Sequence, residues 1–545
     1  MAAERELTPR ALATGALLGA LLAPCNIYSG LKIGWSFNMS IAALLAGLAF
    51  WRAAERAARA APWSLKESNI SQTAASAAAS IVSGGLVAPI PAYTLITGHA
   101  LDAWALAAWV FTVSFLGVWV AWILRPALIV RHPLPYPAGL ATLETLRDVF
   151  AQGREAAARI TVLAASALAA GAWKAAAPLA AWSPSAAAAR LTLGLDPSPL
   201  LAGFGAIIGL RAALSLGAGA ALAWGGLAPW LLDTGRVQGG GFGPLVEWLL
   251  WPGVALMVAA AGTSFALQLR GARLSIGAQW TPGAIAGLAA ASALAVAMQA
   301  LLFGIGLWLA ILAVPLALVL AAVAARVVGE TGIPPIGAIG KVSQLGVGLA
   351  APGQAVTNLM AANVAGGAAG QCADLMNDFK VGHAIGARPA RQLAAQVAGV
   401  LVGAVTGSVV YLALVPDPSA MLLTAEWPAP AVATWKAVAE AMSEGLSAVP
   451  ADARLAMGLG ALAGVALGVL EARARRSPSG VAVGLAFVIP ASICFTMLLG
   501  ALAARAFEAR WPKPAARFTI AAAAGLVAGE SLVGVGAALA GLAGR

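Results

Sequence analysis

The stretch ALATGALLGALLAPCNIYSGLKIGW, Ala11–Trp35, carries no charge until Lys32 and gathers Asn26, Tyr28, Ser29 and Lys32 towards its far end. About 20 apolar residues take a helix across the hydrocarbon core of a bilayer, and this segment has that length. Segments of the same kind recur as far as Leu542, separated mostly by short loops. Of the 545 residues, 61% are hydrophobic and 10% charged, and the mean hydropathy is +0.86. A soluble domain carries about 25% charged residues, so the chain lacks the polar surface that water requires. The reading is an all-α polytopic membrane protein, a single integral domain over 1–545. It has about 14 crossings at ~20 residues each, with some broken or re-entrant segments. A soluble enzyme, a nucleic-acid binder and an outer-membrane barrel are excluded, the last because its strands would alternate polar and apolar residues.

Working outward, the expected spans are Ala11–Trp35, Ser36–Trp51, Asn69–Thr97, Ala103–Leu124, Ile160–Trp182, Leu200–Leu232 and Val246–Leu269. They continue as Thr281–Gln299, Leu301–Val327, Val342–Cys372, Leu393–Val415, Leu455–Leu470, Val481–Ala506 and Phe518–Leu542. Two regions are interrupted, Ser68–Gly98 by Gly84, Gly85, Pro89 and Pro91, and Gly329–Gly370 by Pro334, Pro335, Gly340, Pro352 and Gly353. Such breaks at membrane depth are tolerated only where protein or a watery cavity satisfies the freed backbone. Polar breaks in both parts of the chain hint at repeat halves of about 10–280 and 281–545, the inverted plan of many transporters.

The net charge of +11, from 33 basic and 22 acidic residues, sits at helix ends and in loops. Arg52–Lys66 and Arg125–Arg159 are basic, whereas Ser183–Pro199 and Pro416–Asp452 are neutral or acidic. By the positive-inside rule the N-terminus is expected in the cytoplasm. The first helix is read as retained, because no small-residue cleavage pattern follows it. Cys25, Cys372 and Cys494 have neither CxxC nor zinc-ligand spacing, and no cofactor or metal is implied.

Charges are so few that each is informative. Glu530 lies mid-span in GLVAGESLVG, where a carboxylate costs about 2.5–3.5 kcal/mol on insertion scales; it is read as the first candidate for carrying a proton. Asp374 and Asp378, in DLMND, share one helix face at i,i+4 and rank next, with Glu330 at a helix end. Asn26, Tyr28, Asn69, Gln72, Asn358 and Asn363 are expected to reach one polar cavity near the midplane, since amides at that depth need partners. Thr73 joins them, Lys32 either snorkels or meets substrate, and Arg211 is a candidate carboxylate clamp. Lys380 could bind a loop carbonyl or a substrate carboxylate.

Several ordered strings resemble the oligopeptide transporter superfamily, which includes the yellow-stripe metal-chelate transporters. They are Asn26–Trp35, LKESNISQTAASAAASIVSGG (Leu65–Gly85), Phe204–Leu231, WPGVALMV (Trp251–Val258), GETGIPPIGAIGKVSQL (Gly329–Leu345), Ala361–Gln396 and IAAAAGLVAGESLVGV (Ile520–Val535). Phe379, after Asn377 and Asp378, departs from the Asp-Leu-Lys string expected there, and the chain is short, like a prokaryotic member. The resemblance implies a secondary transporter of the bacterial inner membrane. It would take short peptides or peptide-like metal chelates inward with protons, without nucleic acid, and a homodimer is compatible with it. A competing class is an intramembrane prenyltransferase-like enzyme using Asp374 and Asp378 with magnesium. It lacks a second aspartate-rich site, because Asp102, Asp148, Asp196 and Asp233 are isolated in the sequence.

Overall fold

A computed structural model describes residues 5–36, 38–131, 133–151, 153–176, 181–271, 280–331, 336–474 and 477–543. Among them the fold is all-α, with one isolated bridge between Trp182 and Leu195. The first group of helices is α1 (Pro9–Ile33), α2 (Ser40–Ala58), α3 (Leu65–Ala79), α4 (Pro89–Thr97), α5 (Ala103–Arg125), α6 (Pro137–Ala151), α7 (Gly153–Ala176) and α8 (Ala186–Arg190). Next come α9 (Pro199–Ala220), α10 (Ala228–Asp233), α11 (Phe242–Gly271), α12 (Pro282–Phe303), α13 (Leu307–Thr331), α14 (Ile336–Ala350) and α15 (Ala355–Ala384). The last are α16 (Pro389–Leu414), α17 (Pro418–Met421), α18 (Pro430–Glu444), α19 (Arg454–Arg473), α20 (Gly480–Leu485), α21 (Ala491–Arg510) and α22 (Pro512–Ala543).

Among the described residues, 12 helical segments are long and apolar enough to span a membrane. The polytopic all-α class is therefore correct, and two expected spans are not among the 12. Ser36–Trp51 is replaced by α2, which starts at Ser40 and is charged in its second half by Arg52, Glu55 and Arg56. Val342–Cys372 is two helices, α14 and α15, joined by a turn at Pro352 and Gly353, the latter at φ 80°. α15 is too polar to face lipid, and the fold encloses it: 25 of its 30 residues are buried. Pro416–Asp452, expected as a loop, contains α18, whose Val432, Ala433 and Trp435 are buried and which packs on α4, α14 and α15. Pro334 and Pro335 lie outside the described residues.

Local sequence explains the ends that matter. The Thr8 hydroxyl accepts from the Ala11 N–H, Pro9 opens α1, and Gly34 closes it at φ 71°. α3 starts with a reciprocal capping box between Ser64 and Glu67, which satisfies two otherwise orphaned N–H groups. α3 ends in a 3₁₀ turn, Ser80–Gly84, before α4 resumes.

α9 is interrupted at Gly209, whose φ of 81° and ψ of 166° are not helical. Gly205 lies against the Met497 carbonyl and Gly217 against the Leu498 side chain, so both flank the same turn of α21. A straight helix would separate these glycines by about 18 Å at 1.5 Å per residue; the chain instead doubles back at Gly209. Gly500 of α21 meets the Ala202 carbonyl in the same contact. Small residues let backbones approach in this way. Gly205→Leu is therefore expected to destabilise the protein by about 1–3 kcal/mol, the usual range for overpacking. Thermal unfolding in detergent checks this, and an unchanged transition would show that α9 and α21 can separate without loss.

Candidate functional site

The centre of the molecule holds two carboxylates. Asp374 and Asp378 project from successive turns of α15 and are 7% and 1% exposed. α3 supplies their first partners, because Gln72 and Ser76 also stand one turn apart. Gln72 Nε2 donates to Asp378 Oδ1 at 2.5 Å, and Ser76 Oγ donates to Asp374 Oδ1 and Oδ2 at 3.1 and 3.3 Å. The start of α2 closes a second side: Asn38 Nδ2 donates to Asp374 Oδ1 at 3.3 Å, and Ser40 Oγ to Ser76 Oγ at 3.0 Å. From α16, Gln392 Nε2 donates to the Asp378 carbonyl at 2.9 Å and approaches Thr73 Oγ1 at 3.5 Å. Asp378 Oδ2 has no hydrogen-bond partner, and neither does the amide of Asn69, which is fully buried. Among the described residues no cation balances the pair; the groups around it are hydroxyls and amides. Two anions buried together are unfavourable without compensation, so this nest is suited to holding a proton or another small cation.

Glu530 is placed differently. It is 4% exposed, and its carboxylate accepts from Ser198 Oγ at 2.9 and 2.8 Å and from the Leu200 N–H at 2.8 Å. It caps the N-terminus of α9, where unsatisfied N–H groups and the helix dipole favour an anion. Glu530→Gln should lower the unfolding free energy by about 1.5–3 kcal/mol, the scale of a hydrogen bond to a charged group. Chemical denaturation in detergent measures it; an unchanged midpoint would remove the capping role.

The remaining candidates fall into separate networks. Asn26 Nδ2 donates to the Ala79 carbonyl at 3.0 Å and Asn363 Nδ2 to the Gly84 carbonyl at 2.9 Å. These two amides serve carbonyls at either end of the 3₁₀ break between α3 and α4. Asn358 and Gln344 hold α14 to α15 through bonds of 2.6 and 3.0 Å, and Gln344 also donates to the Trp435 carbonyl. Asn26, Tyr28, Asn69, Gln72, Asn358 and Asn363 are all buried, but only Gln72 bonds to the carboxylate pair. Arg211 pairs with Glu471 at 2.7 Å and donates to the Ser477 carbonyl, with 42% of its side chain exposed. Glu330 pairs with Arg326 at 2.9 Å, also on an exposed face. Lys380 Nζ donates to the Leu134 carbonyl at 2.7 Å. Lys32, half-buried, lies over the Trp427 ring, 5.7 Å from its centroid, and Trp427 meets the Tyr28 ring edge-on at 5.2 Å.

Ser76, Gln392, Ser198 and Trp427 were not among the residues the sequence singled out. Ser76 could have been found, since it lies one turn beyond Gln72 on the same face of α3. The others come from distant parts of the chain and carry no local signal.

An enclosed polar helix carrying ionisable groups inside a bundle of apolar spans defines a class: an integral membrane protein with a built interior for polar cargo or ions, where such groups mark substrate and ion paths. The family model described as OPT oligopeptide transporter protein matches residues 6–284 and 279–540, and the chain belongs to that family. A Saccharomyces cerevisiae protein named "Putative oligopeptide transporter YGL114W" is 33% identical over 135 residues, 24% of this chain. The match spans about a fifth of that relative's length, 19%. The family lends no support to the prenyltransferase alternative. The carboxylate pair is also sealed from any diphosphate, and no metal-holding group of three His, Cys, Asp or Glu occurs among the described residues.

Proposed function

We propose that this protein is a secondary active transporter that moves short peptides, or peptide-like metal chelates, across the membrane together with protons. The observation that carries the reading is the Asp374–Asp378 pair, buried on an enclosed helix among hydroxyl and amide groups without a balancing cation. A carboxylate at that position takes up a proton when both would otherwise be charged, and releases it when the surroundings open to water. The sequence has no GxxxxGK[ST] phosphate loop, which favours an ion gradient over ATP as the energy source. The breaks at Ser80–Gly84 and Gly209 supply interrupted helices of the kind that transporters use at their binding sites. The two family matches meet between residues 279 and 284, close to the proposed boundary of the repeat halves.

Purified protein in proteoliposomes tests the proposal. Labelled di- to hexapeptides, glutathione-like peptides and iron or nickel chelates are offered with and without an inward proton gradient. At least one class should accumulate with the gradient and stop when a protonophore is added; uptake indifferent to the gradient would refute the coupling.

The same reading places the chain in the bacterial inner membrane with its N-terminus in the cytoplasm. A cysteine at Arg56, in the basic segment after α2, should react with an impermeant thiol reagent only after the membrane is permeabilised. One at Glu426 should react in intact cells. The reverse pattern would invert the topology.

A further inference from the structure

Lys341 is a buried cation that the carboxylate nest does not use. It lies in the second turn of α14 and is 8% exposed. Among the described residues its ammonium has one hydrogen bond, a long one of 3.4 Å to the Gly337 carbonyl a turn back on the same helix, and no ion pair. The carboxylates of the helices packed on α14 are engaged elsewhere or turned outward. Glu330 of α13 pairs with Arg326, Glu440 of α18 pairs with Lys436, and Glu247 of α11 and Glu444 of α18 are exposed. Asp374 and Asp378 of α15 are held from α2 and α3. A charge buried without a partner is costly, and inside a membrane protein an ionisable group of this kind marks a substrate or ion path.

The fold gives this cation an approach. Gly340, beside it, packs against the Trp435 ring, and a Cβ on Gly366 would stand 3.6 Å from the Gly340 Cα. α14 therefore runs alongside the middle of α15, about 12 Å along that helix from Asp374 at 1.5 Å per residue. Gly337, which holds the ammonium, is exposed, and a Cβ there would meet nothing within 4 Å among the described residues. The ammonium thus leans towards open space at membrane depth. Lipid in that space would leave the charge unsolvated, which is costly; a polar space suits it. On the same face of α14, one turn on, Gln344 Nε2 donates to Asn358 Oδ1 and to the Trp435 carbonyl, while Gln344 Oε1 is buried without a partner. Residues three apart on a helix are neighbours, so a cation and a free acceptor stand side by side. A peptide end offers their complements, a carboxylate and the N–H next to it.

We infer that Lys341 receives the terminal carboxylate of a short peptide, which enters from the open side of Gly337. The inference rests on the transporter reading above and names a substrate contact for it. The contact is separate from the Asp374–Asp378 pair, so binding is measurable without the coupling step.

The test is equilibrium binding to the purified, detergent-solubilised full chain by calorimetry, with trialanine and trialanine amide as probes. Wild type should bind trialanine at least 10-fold more tightly than the amide. Lys341→Met should weaken trialanine at least 10-fold and leave the amide unchanged, and Lys341→Arg should restore most of the preference. Gly337→Leu, which fills the open space and keeps the lysine, should weaken both probes. Thermal unfolding separates this from a structural role: an unpaired buried charge exchanged for an apolar chain of similar length should leave the transition of Lys341→Met unchanged or raised. A transition well below that of wild type would reveal a structural partner for Lys341 and overturn the inference. Equal binding of the two probes by wild type, or no binding of trialanine at all, would overturn it as well. So would undiminished trialanine binding by folded Lys341→Met or Gly337→Leu. None of these results bears on gradient-driven accumulation in proteoliposomes, and failure of accumulation with the carboxylate preference intact would count against the coupling reading alone.

Discussion

Asp378→Asn is expected to abolish gradient-driven accumulation while leaving exchange of substrate across the membrane. Asparagine has almost the same shape and can keep an oxygen towards Gln72 Nε2, now 2.5 Å from Asp378 Oδ1. It cannot take up or release a proton. One charge crossing 100 mV yields about 2.3 kcal/mol, which at about 1.4 kcal/mol per tenfold corresponds to roughly 50-fold accumulation of a neutral substrate. The variant should bring that ratio to about 1. Asp374→Asn should do less, because Asp374 is already served by Ser76 and Asn38 whereas Asp378 Oδ2 is left without a donor. Proteoliposomes loaded with unlabelled substrate measure exchange and accumulation separately. A variant that still concentrates substrate with normal pH dependence would move the proton site away from Asp378.

Depth along the sequence ranks Glu530 first for this role, and the geometry ranks Asp378 first. The difference lies in what surrounds each carboxylate. Glu530 accepts from the Ser198 hydroxyl and from the Leu200 N–H at the start of α9, so both of its oxygens have donors. Asp378 has a second carboxylate one turn away and an oxygen without a donor, so its charge is poorly tolerated. Spacing within one helix is legible in a sequence, and so Asp374 and Asp378 could be placed on one face. Their partners on α3, some 300 residues away, could not be, because nothing in a linear pattern says which polar helix packs on which.

For the fold, lipid makes most of the answer visible, since every exposed span must be long and apolar. It fails where a helix never meets lipid. α15 carries polar residues on several faces and is surrounded by protein, so its bounds could not be told from apolar content, and its start at Ala355 has no apolar signal. α18 was hidden for the same reason, its Lys436 and Glu440 pairing with each other and giving the stretch the appearance of a charged loop.

The second large effect is expected at the opposite end of α1 from Lys32. Arg10 donates through Nε and Nη2 to the two oxygens of Glu67, at 2.7 and 2.5 Å, and through Nη1 and Nη2 to the carbonyls of Ala61 and Pro62, at 2.8 Å each. Its guanidinium lies 4.9 Å from the Trp51 ring and 5.3 Å from Trp63, and these two rings stack on each other. The Glu67 side chain is fully buried and that of Arg10 is 19% exposed. Removing one member of a buried pair leaves an uncompensated charge and costs about 3–5 kcal/mol; Arg10→Met should cost about 3 kcal/mol, the lower end, because the arginine is partly open to water. Arg10→Lys keeps the charge but not the two-point geometry and should fall between. The double variant Arg10→Met with Glu67→Gln should recover most of the loss, since neither charge then remains. Denaturation of wild type, Arg10→Met, Glu67→Gln and the double variant forms a double-mutant cycle that isolates the pair. A double variant no more stable than Arg10→Met would show that the cost comes from lost packing on Trp51 and Trp63 instead. The pair joins the start of α1 to the start of α3, and further along these helices stand Lys32 on α1 and Gln72 and Ser76 on α3. Loosening it should therefore also weaken the carboxylate nest that α3 builds around Asp374 and Asp378, so that Arg10→Met lowers gradient-driven accumulation as well as stability.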